Sequence, residues 1–279
     1  MKIITQPKVL CLGMGAHCQQ SHIKPLANLD AHVWGVFDPN QGNIEKAVEE
    51  YNLPDLKVFT DEEHGMDEAD AVLIASPDKF HFPQLEKAIG LGCHVFCEKP
   101  MATNGAEVDK LEHIFRRAKE KGLTITTCHP RRFDPPYLAV KNNLGSLMTE
   151  FGAVVEFRLD FSYHKPTKFG LHGGSMLQDH VNHEIDYFCW LMGADVGFKA
   201  MKLWDEEDRY ALTGVREDGV VFSFGGTRRL DERAYPETIQ IRFEKGELFV
   251  DTKNSANSYI LAHGTRERRS INMGITDYE

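Results

Sequence analysis

The feature that most constrains the fold is an alternation, in the first half of the chain, between short apolar runs and segments of helical periodicity. The apolar runs are too short for helices and occupy residues 8–12, 31–37, 58–59, 71–74, 94–96 and 123–126. Helical patterns separate several of them, at residues 19–29, 82–91 and 106–121. This alternation is typical of a parallel sheet covered by helices on both faces. It predicts a doubly wound, six-stranded Rossmann domain in residues 1–125.

The first apolar run leads into a glycine turn of sequence Gly-Met-Gly, and a helical pattern follows. Strand, glycine turn and helix in this order are typical of the start of a dinucleotide-binding unit. Gly13 would make the tight turn, Gly15 would let the backbone approach a pyrophosphate, and the helix N-terminus would stabilise the phosphate charge. The third glycine of the fingerprint is replaced by Cys18. The candidate cofactor-binding residues of this segment are Gly13, Gly15, Ala16 and His17.

The second apolar run ends in an acidic residue, Asp38. A carboxylate at the end of this strand can accept hydrogen bonds from the adenosine ribose hydroxyls, and its charge would repel a 2′-phosphate. Asp38 therefore favours NAD over NADP as the cofactor. The alternative is that Asp38 is a turn former before Pro39 and Asn40.

The fifth apolar run ends in a charged triplet, Glu98-Lys99-Pro100, that packing alone does not require. Ligands of doubly wound domains bind beyond the carboxyl ends of the parallel strands, so Lys99 is a candidate for chemistry. A solvated surface lysine is the alternative.

The second half of the chain has a different pattern. Runs at residues 151–163, 198–205, 209–215, 220–227, 237–243, 247–251 and 258–261 are rich in β-branched and aromatic residues and are joined mainly by short polar or glycine turns. They predict an open, largely antiparallel sheet in residues 126–279, interrupted by one helix at about residues 175–192.

Composition limits the possible function classes. The chain has 279 residues, with 42 acidic and 32 basic residues, for a net charge of −10. A nucleic-acid or anionic-membrane partner is therefore not expected. No apolar run approaches membrane-spanning length and the first residues do not resemble a signal peptide, so we expect a cytoplasmic protein. Its six cysteines show no metal-type pairs and are expected to be reduced packing residues.

Four blocks of the sequence carry a further signal, at residues 74–81, which include Ser76, Pro77 and His81, and at residues 92–103, 131–135 and 173–186. In this order they resemble the glucose–fructose oxidoreductase, inositol dehydrogenase and MocA (Gfo/Idh/MocA) family. The resemblance implies an NAD-binding Rossmann domain beside a sheet domain, with the nicotinamide in a cleft between them. It adds Ser76, Pro77, His81, Glu98 and Lys99 to the candidate cofactor-binding residues, although His81 could equally cap the following helix. It also implies a cis Lys99-Pro100 peptide and a homodimer or homotetramer formed through the exposed sheet face.

The resemblance supplies catalytic roles as well. Lys99 and His183 would handle the proton, and Asp179 would position the substrate or orient His183. Asp179 and His183 are four residues apart on one helix and so share a face, and Asp186 could belong to it. A histidine can accept a hydroxyl proton near neutral pH while hydride leaves the carbon. The alternative is a local helix pair without catalytic meaning.

Some residues depart from the family pattern or leave alternatives open. Val181 stands where the family usually has glycine, and His180 stands where it has a small or apolar residue, so the substrate could differ from the commoner sugars and inositols. His180 and Arg132 are candidate substrate-binding residues, and the alternative for Arg131 or Arg132 is a structural salt bridge. His172, His180 and His183 invite a metal-site interpretation, but only two of them share a helix, and we expect no metal.

The sequence thus predicts an NAD(H)-dependent oxidoreductase that acts on a hydroxyl or carbonyl of a sugar, polyol or related small metabolite. The alternatives are a non-catalytic NAD-sensing regulator on the same fold and a reductase of a larger planar substrate, which would need a wide apolar cleft. A further expectation concerns residues 274–279, which resemble the point where the family usually begins another helix. The chain therefore looks short or trimmed at this end.

Overall fold

The computed structural model describes residues 7–28, 33–53, 55–163, 176–228 and 236–271. The chain divides into two compact units after Cys128. The sequence pattern predicts a boundary after residue 125, which falls inside a strand, Ile125–Thr127, that pairs with the sheet of the first unit. Residues 274–279, where a further helix would begin, lie outside the described residues.

The first unit is built on a parallel sheet. Its strands are β1 (Val9–Leu12), β2 (Gly35–Phe37), β3 (Lys57–Val58), β4 (Ala71–Ile74), β5 (His94–Cys97) and β6 (Ile125–Thr127). Among the described residues the sheet has six strands in the order β3-β2-β1-β4-β5-β6, and every pair is parallel. The chain reverses its direction across the sheet between β1 and β4, which is the switch point where doubly wound folds bind ligands. The predicted Rossmann sheet is confirmed.

Helices cover both faces of this sheet. They are α1 (Ala16–Cys18), a π-helical segment (Gln19–Ile23), α2 (Lys24–Asn28), α3 (Gln41–Tyr51), α4 (Glu62–Glu68), α5 (His81–Leu91) and α6 (Gly105–Glu120). Successive strand side chains point to opposite faces. Accordingly, Leu10 and Leu12 enter one buried cluster and Cys11 enters another. The helical run predicted from Gln19 begins at Ala16 and contains a π-helical segment that the sequence pattern did not indicate.

The second unit contains two α-helices and an eight-stranded sheet within the described residues. The helices are α7 (Pro135–Phe151) and α8 (Met176–Met192). The strands are β7 (Val154–Phe161), β8 (Phe198–Glu206), β9 (Arg209–Arg216), β10 (Val221–Thr227), β11 (Glu237–Phe243), β12 (Gly246–Asp251), β13 (Tyr259–Ala262) and β14 (Arg268–Arg269). Their order is β14-β13-β12-β11-β7-β10-β9-β8, and among these described strands only the β7–β10 pair is parallel. The largely antiparallel sheet is confirmed.

The prediction of a single helix in this unit is wrong, because α7 is a second one. Its first residue is Pro135, which is favourable at a helix start, where the missing N–H costs nothing. Tyr137 of α7 and Phe188 of α8 join alternate residues of β7, such as Phe157, in one buried cluster. Phe151 ends α7, so β7 begins three residues later than the predicted strand.

No helix of the described residues combines the length and the apolarity that crossing a membrane requires. All six cysteines are free, and four of them, Cys11, Cys18, Cys93 and Cys97, are buried.

Candidate functional site

The glycine turn after β1 is held close to the end of β4. The backbone N–H of Gly13 donates to the carbonyl oxygen of Phe37 at 2.9 Å. Gly13 has a φ of 91°, and a Cβ built on it would lie 2.8 Å from the backbone of Ala75 and Ser76. A Cβ built on Gly15 meets nothing within 4 Å. The first glycine is therefore required by the fold, whereas the second leaves open space in front of the backbone, as an approaching phosphate group requires.

Asp38 fixes this turn from the end of β2. Its carboxylate accepts hydrogen bonds from the backbone N–H groups of Met14 at 2.6 Å and Asn40 at 2.7 Å, and from the side chain of Asn43 at 3.3 Å. The turn-forming role that the sequence left open is thus present. A carboxylate has about four acceptor sites, so one remains for a ligand hydroxyl.

Two buried residues near the turn complete its support. The Gln19 side chain donates to the carbonyl oxygens of Met14 at 2.8 Å and Asn43 at 3.2 Å. The Sγ atoms of Cys11 and Cys18 lie 3.5 Å apart, so Cys18 fills space next to β1 where the fingerprint has glycine. Sequence reasoning did not identify Gln19, since a lone glutamine carries no recognisable signal.

Hydrogen bonds from Ser76 and His81 hold the loop after β4 in place. The Ser76 hydroxyl donates to Gln84 at 2.7 Å, and the exposed Pro77 starts the next turn. His81 is 1% exposed, and its two ring nitrogens face the carbonyl oxygens of Ser76 at 2.7 Å and Pro100 at 2.8 Å. His81 therefore joins the loops after β4 and β5, and it is the first residue of α5.

Glu98, directly after β5, is buried against two histidines. Its Oε1 atom lies 3.2 Å from Nε2 of His17 and 2.7 Å from Nε2 of His22. Burial raises the pKa of Glu98, but hydrogen bonds and charge from His17 and His22 outweigh burial and hold the pKa well below its usual range. Glu98 is therefore an anion at the end of β5. Sequence reasoning missed His22.

Lys99 follows at the same strand end. Its backbone N–H donates to Oε2 of Glu98 at 3.2 Å, and its side chain is half-buried. The Lys99-Pro100 peptide is cis, which confirms that prediction. Nearby, burial and the charge and hydrogen bond of Glu98 raise the pKa of the Cys128 thiol to about 12. Cys128 is therefore a neutral thiol.

In the second unit, Arg131 lies in a buried ionic network. A structural salt bridge was one of the two roles that the sequence left open for this arginine. Its guanidinium donates to Glu184 at 2.9 Å and to Glu237 at 2.6 and 3.0 Å. Tyr137 also donates to Glu237. Burial raises the pKa of Glu184, but the Arg131 charge and the His180 contact lower it to about 2 overall. This network anchors α8 to the short turn at Pro130–Arg132 and to β11.

Helix α8 carries two of the three predicted catalytic residues, Asp179 and His183, and also His180. The His180 ring stacks on Phe161 with 3.9 Å between centroids, and its Nδ1 lies 2.9 Å from Oε1 of Glu184. This is an ion-pair distance without the angle of a directed hydrogen bond. The half-buried His183 ring packs edge-on against His180 and His129, at 5.4 and 6.1 Å. The backbone of Asp179 belongs to α8, but its side chain lies outside the described residues, as does His172.

The other residues singled out on α8 and before α7 have structural partners. Arg132 makes a two-pronged ion pair with Asp186, and His129 lies 3.6 Å from the same carboxylate. Asp186 is therefore bound to Arg132, which is 40% exposed. Val181 packs against the buried core of the unit, so its β-branched side chain serves packing.

Comparison with known proteins gives a consistent result. Residues 8–129 match the sequence model of the Gfo/Idh/MocA family, described as an oxidoreductase family with an NAD-binding Rossmann fold. An inositol 2-dehydrogenase from Corynebacterium glutamicum is 29% identical over 191 residues, which are 67% of this chain and 54% of that protein. The matched region thus spans about half the length of the curated relatives.

Solved structures extend the likeness to the second unit. The WlbA dehydrogenase from Bordetella pertussis, solved with NADH and UDP-GlcNAcA, gives a TM-score of 0.78 at 18% identity and covers 95% of this chain and 80% of that one. The apo scyllo-inositol dehydrogenase from Lactobacillus casei gives 0.75 at 21% identity and covers 88% of this chain and 75% of that one. At these identities the comparison shows a shared fold.

Proposed function

Because the chain belongs to the Gfo/Idh/MocA family of oxidoreductases through residues 8–129, we propose that it is an NAD(H)-dependent dehydrogenase of a sugar, polyol or related small metabolite. The observation that carries the proposal is the glycine turn at the switch point of the parallel sheet, with Gly15 open to a ligand and Asp38 beside it. The inositol 2-dehydrogenases among its relatives support a polyol as the substrate class.

The residues of the first unit fit the cofactor. Gly13, Gly15, Ala16 and His17 would hold the pyrophosphate, with Gly15 giving the backbone access that its missing Cβ provides. Asp38 would hold the adenosine ribose with its remaining acceptor site, and its negative charge disfavours a 2′-phosphate. Ser76, Pro77, His81, Glu98 and Lys99 would surround the nicotinamide end, with His81 acting by holding their loops together.

When bound, NAD supplies the hydride acceptor at the nicotinamide. Lys99 and His183 handle the proton. The neutral His183 imidazole accepts the substrate hydroxyl proton as the carbon is oxidised, and the Lys99 ammonium donates a hydrogen bond that stabilises the developing negative charge on that oxygen. Asp179 positions the substrate or orients His183, and Arg132 and His180 are further candidate contacts to the substrate.

We also propose that the protein forms a homodimer or homotetramer through the sheet of the second unit. Strand β8 is exposed along its whole length. It presents large apolar side chains, Phe198, Met201, Leu203 and Trp204, which are 42 to 60% exposed. Apolar clusters of this kind are typical of protein interfaces. Light scattering after size exclusion should give a multiple of the 31.7 kDa chain, and Leu203→Glu should shift the mass towards one chain.

The test of the enzymatic function is a screen of inositols, sugars and sugar acids with NAD and with NADP, followed by absorbance of the reduced cofactor. We expect turnover with NAD for at least one polyol or sugar. Cofactor binding without turnover across the screen, measured by calorimetry on the same preparation, would favour the NAD-sensing regulator instead. Turnover only with large planar carbonyl compounds would favour the third alternative.

A further inference from the structure

His17, His22 and Glu98 converge in the first unit, and His22 has no role in the proposed cofactor contacts. Each offers one ligand atom, and these three atoms all lie within 4.8 Å of one another. They come from α1, the π-helical segment and the end of β5. Two imidazoles and one carboxylate are a donor set that zinc prefers in open sites with a free fourth position.

The Glu98–His17 distance is close to the spacing that a small divalent cation requires, and the shorter Glu98–His22 distance would have to widen when the cation binds. With bonds of about 2.0–2.2 Å and tetrahedral angles, ligand atoms in a zinc site lie about 3.3–3.6 Å apart. The Oε1 atom of Glu98 lies 3.2 Å from Nε2 of His17 and 2.7 Å from Nε2 of His22. The His22 and Glu98 side chains are 10% and 8% exposed, and a small rotation of the His22 ring that widens their distance by about 0.6 Å would bring this pair to the zinc spacing. The His17 side chain is 69% exposed.

The local helix geometry explains why the two histidines meet. Residues five apart on an α-helix are rotated by about 140° from each other, since each residue turns about 100°. The segment Gln19–Ile23 is π-helical, and Lys24 N donates to Gln19 O in the wider i to i+5 pattern. This widening brings His22 towards the face of His17. Such segments occur frequently at functional sites.

The Ser21 side chain favours the His17 tautomer that metal binding requires, with the proton on Nδ1 and the lone pair on Nε2. The Ser21 hydroxyl lies 3.3 Å from Nδ1 of His17. When Nδ1–H donates to this hydroxyl, the Nε2 lone pair points at the shared position beside Glu98. Metal-bound histidines almost always have such an outer partner on the second nitrogen.

We propose that His17, His22 and Glu98 form a binding site for one Zn²⁺ ion per chain, with a fourth position open to water or to a ligand. This departs from the absence of metal that the sequence suggests. It does not rest on the dehydrogenase proposal, because the test reads metal binding and not turnover. The Glu98 carboxylate, which is 8% exposed, would offset part of the charge of the cation.

The test is a calorimetric titration of the chelator-treated, cofactor-free, reduced full chain with Zn²⁺, using His17→Ala as the main variant. His17 is exposed, so its removal should leave the fold intact, and we expect affinity to fall by about 100-fold or more. The matched control is His64→Ala. His64 is 68% exposed and lies 3.2 Å from Glu68, but this pair has no third ligand within the described residues. The control should bind zinc like the parent.

Thermal unfolding gives a second readout. A ligand that binds only the folded state raises the melting temperature, so Zn²⁺ should raise it in the parent and in His64→Ala but not in His17→Ala. The visible spectrum after Co²⁺ replaces Zn²⁺ should show tetrahedral nitrogen and oxygen coordination.

Zinc binding of equal affinity in the parent and in His17→Ala would overturn the proposal, and would point to the thiol pair Cys11 and Cys18 instead. Absence of binding in the parent, or an intense thiolate-to-cobalt band that persists in His17→Ala, would overturn it as well.

Discussion

The carboxylate of Asp38 accepts a hydrogen bond from the backbone N–H of Met14 at 2.6 Å, so one side chain sets both the shape of the glycine turn and the charge next to it. Asp38→Ala should therefore weaken NAD(H) binding and also lower stability, by about 1.5–3 kcal/mol for the hydrogen bonds to a charged group. Asp38→Asn keeps an acceptor and should lose the preference for NAD(H) over NADP(H) with a smaller loss of stability. Fluorescence titration and chemical denaturation separate the two effects. Equal affinities of the parent for both cofactors would refute the role in selectivity.

The two glycines of the turn should respond differently to the same substitution. Gly13→Ala places a Cβ 2.8 Å from the backbone of Ala75 and Ser76 at a φ of 91°, so we expect a clear loss of stability. Gly15→Ala meets open space and should leave the melting temperature within a few degrees of the parent. Its effect should appear as weaker NAD(H) binding, because the added methyl group occupies the path of the pyrophosphate. Unchanged NAD(H) affinity of Gly15→Ala would contradict this placement.

Lys99→Ala and His183→Ala test the proton-transfer assignment. Each should lower kcat by about 10² to 10⁴-fold with the substrate found in the screen, while NAD affinity changes little. Because both side chains are half-buried, a melting curve must show that each variant is folded. Normal kcat in a well-folded Lys99→Ala, His183→Ala double variant would eliminate the mechanism and leave the fold intact.

Alanine variants of the neighbouring Arg131 and Arg132 compare the loss of a buried ion pair with that of a partly exposed one. Arg131→Ala leaves Glu184 and Glu237 buried without their cation, which should cost about 3–5 kcal/mol of stability. Arg132→Ala removes a partly exposed pair with Asp186, which should cost about 1 kcal/mol or less. Urea denaturation of both variants measures the difference. Similar losses for the two would show that the Arg131 network contributes less than its burial indicates.

The lowered pKa of Glu184 predicts how the free energy of unfolding falls at acid pH. Its pKa falls from 4.5 to about 2 on folding, so its ionised form stabilises the native state above about pH 4.5, and this contribution is lost as the pH falls from 4.5 towards 2. The full contribution is about 3 kcal/mol at order-of-magnitude level. Glu184→Gln should be less stable than the parent at pH 7 and should show a flatter decline between pH 5 and 3. Melting temperatures across this range measure it, and parallel curves for both proteins would contradict it.

The sequence predicts the first unit well because its signals are local. Each strand is a short apolar run, and the glycine turn and Asp38 are adjacent to strand ends, so residue order alone places Gly13, Gly15 and Lys99 at the carboxyl edge of one sheet. Helix α7 was not predicted because two consecutive prolines, Pro135 and Pro136, usually indicate the end of a helix or a loop. Its buried residues Tyr137, Val140 and Leu144, at spacings of three and four, are the helical signal that could have found it.

The buried contacts of the site could not be predicted in the same way. Arg131 meets Glu184 and Glu237 from distant positions in the chain, and no local pattern links an arginine to a particular glutamate. His22 is likewise brought to Glu98 by a π-helical segment, while periodicity analysis assumes a regular helix. Tertiary packing determines both pairings.

The single parallel pair in the second sheet has a consequence for how this unit folds. Strand β7 is paired on one side with β10 and on the other with β11, so helix α8 and strands β8 and β9 must be synthesised before its first neighbour exists. Strands β8, β9 and β10 follow one another and pair as local hairpins. Pairings between distant segments form more slowly than hairpins, because a long loop must close first. We therefore expect the three-stranded meander of β8, β9 and β10 to form first, and β7, whose buried residues alternate with charged ones, to stay unpaired until β10 and β11 have been synthesised.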